Sequence, residues 1–121
     1  MEIQLESIEP HTIRSYSDQI ILVAQTTLEQ SCILSKESIE TNWPIRRIDE
    51  LNENHLAALL RHKPDVILIG HTGGPKALPL FASELSQQKI GIECMSIGAA
   101  CRTFNVLLSE QRAVVLGIIL V

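Results

Sequence analysis

A chain of 121 residues is of single-domain length, long enough to bury roughly two-thirds of its unfolded surface. Hydrophobic side chains make up 45% of it, aromatics only 3%, and the net charge is -4. That balance argues against nucleic-acid and anionic-membrane partners, which want a basic face and, for single strands, rings for base stacking.

The N-terminal stretch "MEIQLESIEP" is acidic and has neither a basic n-region nor an apolar h-region, so no signal peptide is expected. "TIRSYS" (12 to 17) leads through the turn pair Ser17-Asp18 into "QIILVAQ" (19 to 25) and then "SCILS" (31 to 35). These read as hairpin-linked antiparallel strands. "NWPI" (42 to 45) reads as a short edge strand, where Pro44 is tolerated. Trp43 is expected in the core beside the first helix, and Lys36, Glu37, Arg46, Arg47, Asp49 and Glu50 on a solvated rim.

Beyond residue 50 the pattern changes. "LNENHLAALLRHKP" predicts a helix capped by Asn52 and stopped by Pro64, with Leu56, Leu59 and Leu60 as its apolar stripe. "DVILIG" (65 to 70) is a continuous apolar strand. "ALPLFASELSQQ" (77 to 88) predicts a second helix and "GIECM" (91 to 95) a strand. "GAACRTFNVLLSEQR" (98 to 112) predicts a third helix, and "AVVLGIILV" (113 to 121) a closing strand. Helices alternating with apolar strands predict an α/β fold: one domain over residues 1-121, a central mixed sheet with flanking helices, and an antiparallel N-terminal strand region. Val66–Ile69, Ile92–Cys94 and Val114–Leu120 are expected to be core strands buried on both faces. The longest apolar run is too short to span a bilayer, so no membrane insertion is expected.

Two stretches carry candidate chemistry. "GHTGGPK" (70 to 76) lies between a strand and a helix, where open α/β sheets place ligands. It is neither GxGxxG nor a P-loop, because no GK[ST] follows the glycines. In the third helix, Ala100, Phe104, Leu107 and Leu108 share one face, and Cys101, Arg102, Asn105 and Ser109 a neighbouring arc. Cys101 is expected near the first turn, where the helix dipole favours a thiolate. If the two apolar strands are parallel neighbours, the glycine turn and this helix start face one crevice. The expected ligand- or partner-binding set is therefore Gly70, His71, Thr72, Gly73, Gly74, Cys101, Arg102, Thr103 and Asn105. Asn105 is expected to satisfy backbone groups of the glycine turn, and Arg102 to meet an anion or a partner's carboxylate. Cys32, Cys94 and Cys101 form no CxxC pair, the four histidines add no zinc spacing, and no catalytic set can be assembled. Neither metal nor cofactor is implied, and reduced thiols fit a cytoplasmic chain.

"PDVILIGHTGG" followed by "GIECMSIGAACRTFNVLLSEQRAVVLGIIL" resembles the small Mth-like domains, long catalogued as of unknown function. The matching elements are Gly70–Gly74, Gly91–Met95, Ala99–Ala100, Thr103–Phe104–Asn105–Leu107 and Glu110–Arg112. The family includes a mitochondrial respiratory complex I assembly factor and an adipogenesis-associated protein. The resemblance implies a compact α/β domain that works through protein contacts during assembly rather than by catalysis. The partner expected on that ground is an unidentified protein. The crevice itself keeps open the alternative of a small anionic ligand, bound by a binding protein or an enzyme, and pairing at the N-terminal hairpin edge keeps open a homodimer beside a monomer. The chain departs from the family pattern twice. His71 is inserted in the glycine turn, and Gln111 replaces the glycine of "Glu-Gly-Arg", which argues against a left-handed helix end there.

Overall fold

The computed structural model describes residues 9–74, 85 and 87–120. Five short strands come first: β1 (Ile13–Tyr16), β2 (Ile21–Val23), β3 (Thr26–Leu28), β4 (Cys32–Ser35) and β5 (Ile39–Glu40). A 3-10 turn at Ile48–Glu50 leads to α1 (Glu53–Leu60), then β6 (Val66–His71), β7 (Gly91–Ser96), α2 (Ile97–Ser109) and β8 (Val114–Ile118). The helix expected over 77–88 falls mostly outside the described residues.

The strands form two sheets. β1, β2 and β3 make a three-stranded antiparallel sheet, and the main sheet runs β5-β4-β8-β6-β7. In the main sheet β8, β6 and β7 are parallel, while β4 runs antiparallel to both β5 and β8. The chain is thus an α/β domain with a mixed central sheet and an antiparallel N-terminal region. β4 does not continue the hairpin as expected. It crosses to the main sheet and pairs Cys32–Ser35 with Ile118–Val115. "NWPI" is not a strand either. The edge strand lies two residues upstream of it, at Ile39–Glu40, and Trp43–Ile45 runs as irregular chain into the core.

Period-two alternation splits the apolar residues between the two faces of the main sheet. Leu34, Leu68, Leu116 and Ile118 face α2 and the N-terminal sheet. Ile33, Ile67, Ile69, Val115 and Ile119 face α1, Trp43 and Leu85. β6 and β8 are buried on both faces as expected, but β7 is not. It lies at the edge of the sheet, with exposed and half-buried residues and no strand on its outer side among the described residues.

Two glycines let the layers close. A Cβ on Gly70 would lie 2.9 Å from both Ala100 Cβ and Ile118 Cδ1, so α2 sits directly on β6. A Cβ on Gly117 would lie 2.6 and 2.7 Å from ring carbons of Trp43, which covers the other face. The Trp43 ring also meets His55 of α1 edge-on, with centroids 6.1 Å apart. Buried Ser31 ties this layer down. Its hydroxyl donates to Ile45 C=O at 2.6 Å and accepts the Leu120 N–H at 3.0 Å.

Local capping sets the helix ends. Asn52 caps α1 by accepting the N–H groups of Asn54 and His55. α2 ends in a Schellman turn: Gln111 N–H donates to Leu108 C=O and Arg112 N–H to Leu107 C=O. Gln111 takes φ +60°, so the left-handed end forms without glycine, contrary to expectation. Its side chain offsets the backbone strain by accepting from Lys36 Nζ at 2.8 Å and donating to Glu9 at 3.1 Å.

Because the Trp43 ring occupies the space above Gly117, Gly117→Ala is expected to lower unfolding free energy by about 1–3 kcal/mol through overpacking. Urea denaturation measures this, and an unchanged midpoint would show that the Trp43 layer yields.

Candidate functional site

β6 and β7 run in parallel register to their last pair, His71 with Ser96. The glycine turn therefore leaves the sheet beside the start of α2, at the carboxyl ends of the strands. There an open crevice of about 600 Å³ is lined by Asp18, His71, Thr72, Gly74, Cys94, Met95 and Ser96 among the described residues. Gly74 holds φ +73°, a conformation that side chains disfavour. Ser96 caps α2, its hydroxyl accepting the Ala99 N–H at 3.2 Å. His71 is buried, and its Nδ1 accepts the Gly73 N–H at 3.0 Å. A neutral ring so held carries its proton on Nε2, and Nδ1 is occupied with shaping the turn.

The helix arc lies elsewhere. α2 begins at Ile97, so Cys101 falls in the second turn and joins the apolar face, 0% exposed. Burial pushes its thiol up to about 12 and outweighs the neighbouring Arg102 guanidinium, the reverse of an activated thiolate. Cys32 is likewise raised to about 12, by burial and by Cys101 beside it. Asn105 Oδ1 accepts the Ile13 N–H at 2.8 Å and Nδ2 donates to the Ile13 C=O at 3.0 Å. It does satisfy backbone groups, but those of β1 rather than of the glycine turn. Arg102 donates to the Tyr16 hydroxyl at 2.7 Å, over a ring that packs on Gly98. Thr103 reaches Met95 Sδ, at 3.8 Å. The structure thus brings His71, Thr72 and Gly74 to the crevice and turns Cys101, Arg102 and Asn105 toward the core and the N-terminal sheet.

Other residues take their places. A smaller cavity of about 260 Å³ adjoins the same turn and is lined by Arg46, Arg47, Asp49, Thr72 and Gly73, among others. The cations beside the glycines therefore come from the segment before α1. Glu50 orders that segment: its carboxylate accepts the Arg46 and Arg47 N–H groups at 2.7 and 3.2 Å, which lower its pKa. Sequence reasoning misses Asp18, Cys94, Met95 and Ser96 at the crevice. A serine directly before a helical pattern is an N-cap signal, and it could have marked Ser96. No local signal marks the others, because sheet register brings them in.

Residues 13–119 match the family described as a protein of unknown function, DUF498/DUF598. The chain belongs to this family. The NMR structure of Xanthomonas campestris XCC1710 is similar, with 34% identity, a TM-score of 0.77, and coverage of 89% of this chain and 83% of that one. The solution NMR structure of a Mth938-like domain from Bordetella pertussis is 23% identical with a TM-score of 0.74, and covers 98% and 90% of the two chains. The fold is therefore Mth938-like, as the resemblance implied. Among curated relatives, the 13 kDa major membrane protein of Francisella tularensis subsp. holarctica (strain LVS) is 29% identical over 104 residues, 84% of this chain and 75% of that protein. Among the described residues, no helix of this chain is long and apolar enough to cross a membrane.

Two measurements probe the relocated arc. Asn105→Ala leaves two backbone groups of Ile13 without partners and is expected to destabilise by about 1–3 kcal/mol, whereas exposed Arg102→Ala is expected to shift stability by less than about 1 kcal/mol. Equal losses in thermal denaturation would contradict the different roles assigned to them. With a maleimide probe on the native chain, half-buried Cys94 is expected to react first and Cys32 and Cys101 to stay protected. Mass spectrometry that found Cys101 labelled as fast as Cys94 would show that the core opens there.

Proposed function

We propose that this chain is a protein-interaction domain without chemistry of its own, and that it takes a partner's polypeptide segment into the crevice at the ends of β6 and β7. One observation carries the reading: the crevice is open and built from a glycine turn, a helix cap and strand ends, without convergent reactive groups among the described residues. Small-molecule sites usually present a few convergent polar groups that fix the ligand, and the described lining of this crevice supplies backbone and small polar groups instead. Of the residues expected at the site, the Cys101 thiol is buried and the Asn105 amide is committed to β1. The resemblance to assembly factors that act by protein contact supports the same reading.

A second reading, a small anionic ligand, is favoured by Arg46 and Arg47 beside Gly73 in the adjoining cavity. The cytoplasm is the compartment we assign. Three free thiols suit a reducing environment, while the name of the Francisella relative points to membranes.

One experiment addresses all three points. Tagged chain is purified from soluble and membrane fractions of the native host, as wild type and as Thr72→Trp, which would fill the exposed lip of the crevice. A protein retained by wild type and lost from Thr72→Trp at equal melting temperature is the expected result. Equal retention by both would move the interaction away from the crevice. A bound anion lost on Arg46→Ala/Arg47→Ala would favour the second reading, and recovery only with membranes would overturn the cytoplasmic assignment.

A further inference from the structure

The opposite end of the sheet carries a separate cavity of about 570 Å³, where the chain enters β6 and β8. Its rim holds Lys36 from the β4–β5 turn, Arg61 and Lys63 from the end of α1, and Arg112 from the end of α2. Four of the ten lysines and arginines of a chain with net charge -4 therefore surround one hollow. Glu37 is the carboxylate among its described lining residues, and nearby Glu40 is engaged by Arg61 at 3.5 Å and by His62. Glu9, held by the Gln111 amide at 3.1 Å, is a third carboxylate at the rim, so four cations against three carboxylates leave one positive charge in excess.

Cations near helix C-termini are favoured by the dipole, which accounts for part of this cluster. It does not account for the backbone. Lys63 holds φ +52°, and Gln111, directly before Arg112, holds φ +60°. Helix-ending positions of this kind usually go to glycine. Both carry long polar side chains instead, and Gln111 uses its amide to hold Lys36 at the rim. The side chains of Lys63 and Arg112 have no hydrogen-bond or ion-pair partner among the described residues. The strained backbone thus supports cations that no neighbour uses.

We infer that this hollow binds a phosphate group, held between Lys36, Lys63 and Arg112. A phosphate group carries one negative charge as a diester and nearly two as a monoester at neutral pH, so either is drawn to a rim with a net positive charge. The arginine fork can take two of its oxygens, and the lysines supply point charges. The acidity of the chain as a whole does not oppose this, because charges beyond about 8 Å are largely screened at physiological salt. The phosphate can come from a soluble phosphorylated compound or from a lipid headgroup, which share the anionic oxygens that the arginine and lysines would bind.

The test titrates inorganic pyrophosphate into the isotopically labelled full chain and follows backbone amide shifts. Saturable shifts confined to Lys36, residues 61–63 and residues 111–113 are expected. Lys63→Gly/Arg112→Gln should weaken binding by roughly tenfold or more, since two of the three charge-assisted contacts go. The glycine relieves a left-handed lysine, so this variant should melt no lower than wild type. Sedimentation with vesicles of phosphatidylcholine and phosphatidylglycerol runs in parallel. Vesicle binding abolished in the variant assigns the headgroup as the source, and pyrophosphate binding without vesicle binding assigns a soluble ligand. Neither binding in wild type, or binding unchanged in the variant, overturns the inference.

Discussion

The architecture depends on how closely two layers approach the central sheet at Gly70 and Gly117. Ile69 pairs with Gly117 and Gly70 with Ile118, so the two glycines are diagonal neighbours on adjacent strands. They open opposite faces. Gly70 admits the Ala100 side of α2, and Gly117 admits the ring of Trp43. Each removes one side chain from a layer that would otherwise hold its neighbour further off. With α2 seated against β6, Ser96 caps it at the crevice and Asn105 comes within reach of Ile13. The N-terminal sheet then docks on α2 by extending the same core through Ile13, Ile21, Val23 and Leu28. The site and the hairpin are both consequences of one close helix–strand contact.

Much of this is legible in the sequence. Unbroken aliphatic runs mark β6 and β8, the Asn52 cap and leucine stripe mark α1, and periodicity marks α2, each a local pattern that packing reinforces. The failures share a cause, which is that local pattern does not name a partner. "SCILS" is a good strand in either sheet, and only the two-faced burial of Cys32, Ile33 and Leu34 shows why the main sheet takes it. β7 reads as apolar but lies at an edge, which strand composition does not reveal. Cys101 belongs to a polar arc only while its thiol is weighed as chemistry. It stands four residues after Ile97 and three before Phe104, on the buried stripe, where cysteine behaves as a small hydrophobe. Gln111 is a different case: residue preference alone speaks against a left-handed turn, and two side-chain hydrogen bonds outweigh it.

The parallel arrangement of β8, β6 and β7 gives the domain two unlike ends. At the carboxyl ends, the glycine turn and the α2 cap leave backbone and small polar groups around an open crevice. At the amino ends, both helices finish, and their cations gather where the negative ends of the dipoles lie. Net charge averages over this separation and hides it. Lys36, Arg46 and Arg47 look alike in the sequence, as members of a solvated rim. The fold sends Lys36 to one end and the two arginines to the other, so a single rim becomes parts of two differently charged cavities.

The polar arc of α2 shows what such residues do beneath a hairpin. β1 is the edge of its sheet, and an edge strand presents backbone groups without strand partners. The Asn105 amide offers Ile13 one acceptor and one donor, the same pair that a neighbouring strand would supply. Lysine has no acceptor and glutamate no donor when ionised, so neither could replace it in this contact. Arg102 extends the seam by holding the Tyr16 hydroxyl, and Gly98 leaves room for the ring. The departure from an ordinary Lys- and Glu-rich helix surface is thus a real signal with a structural origin. It marks where a sheet edge is capped by side chains.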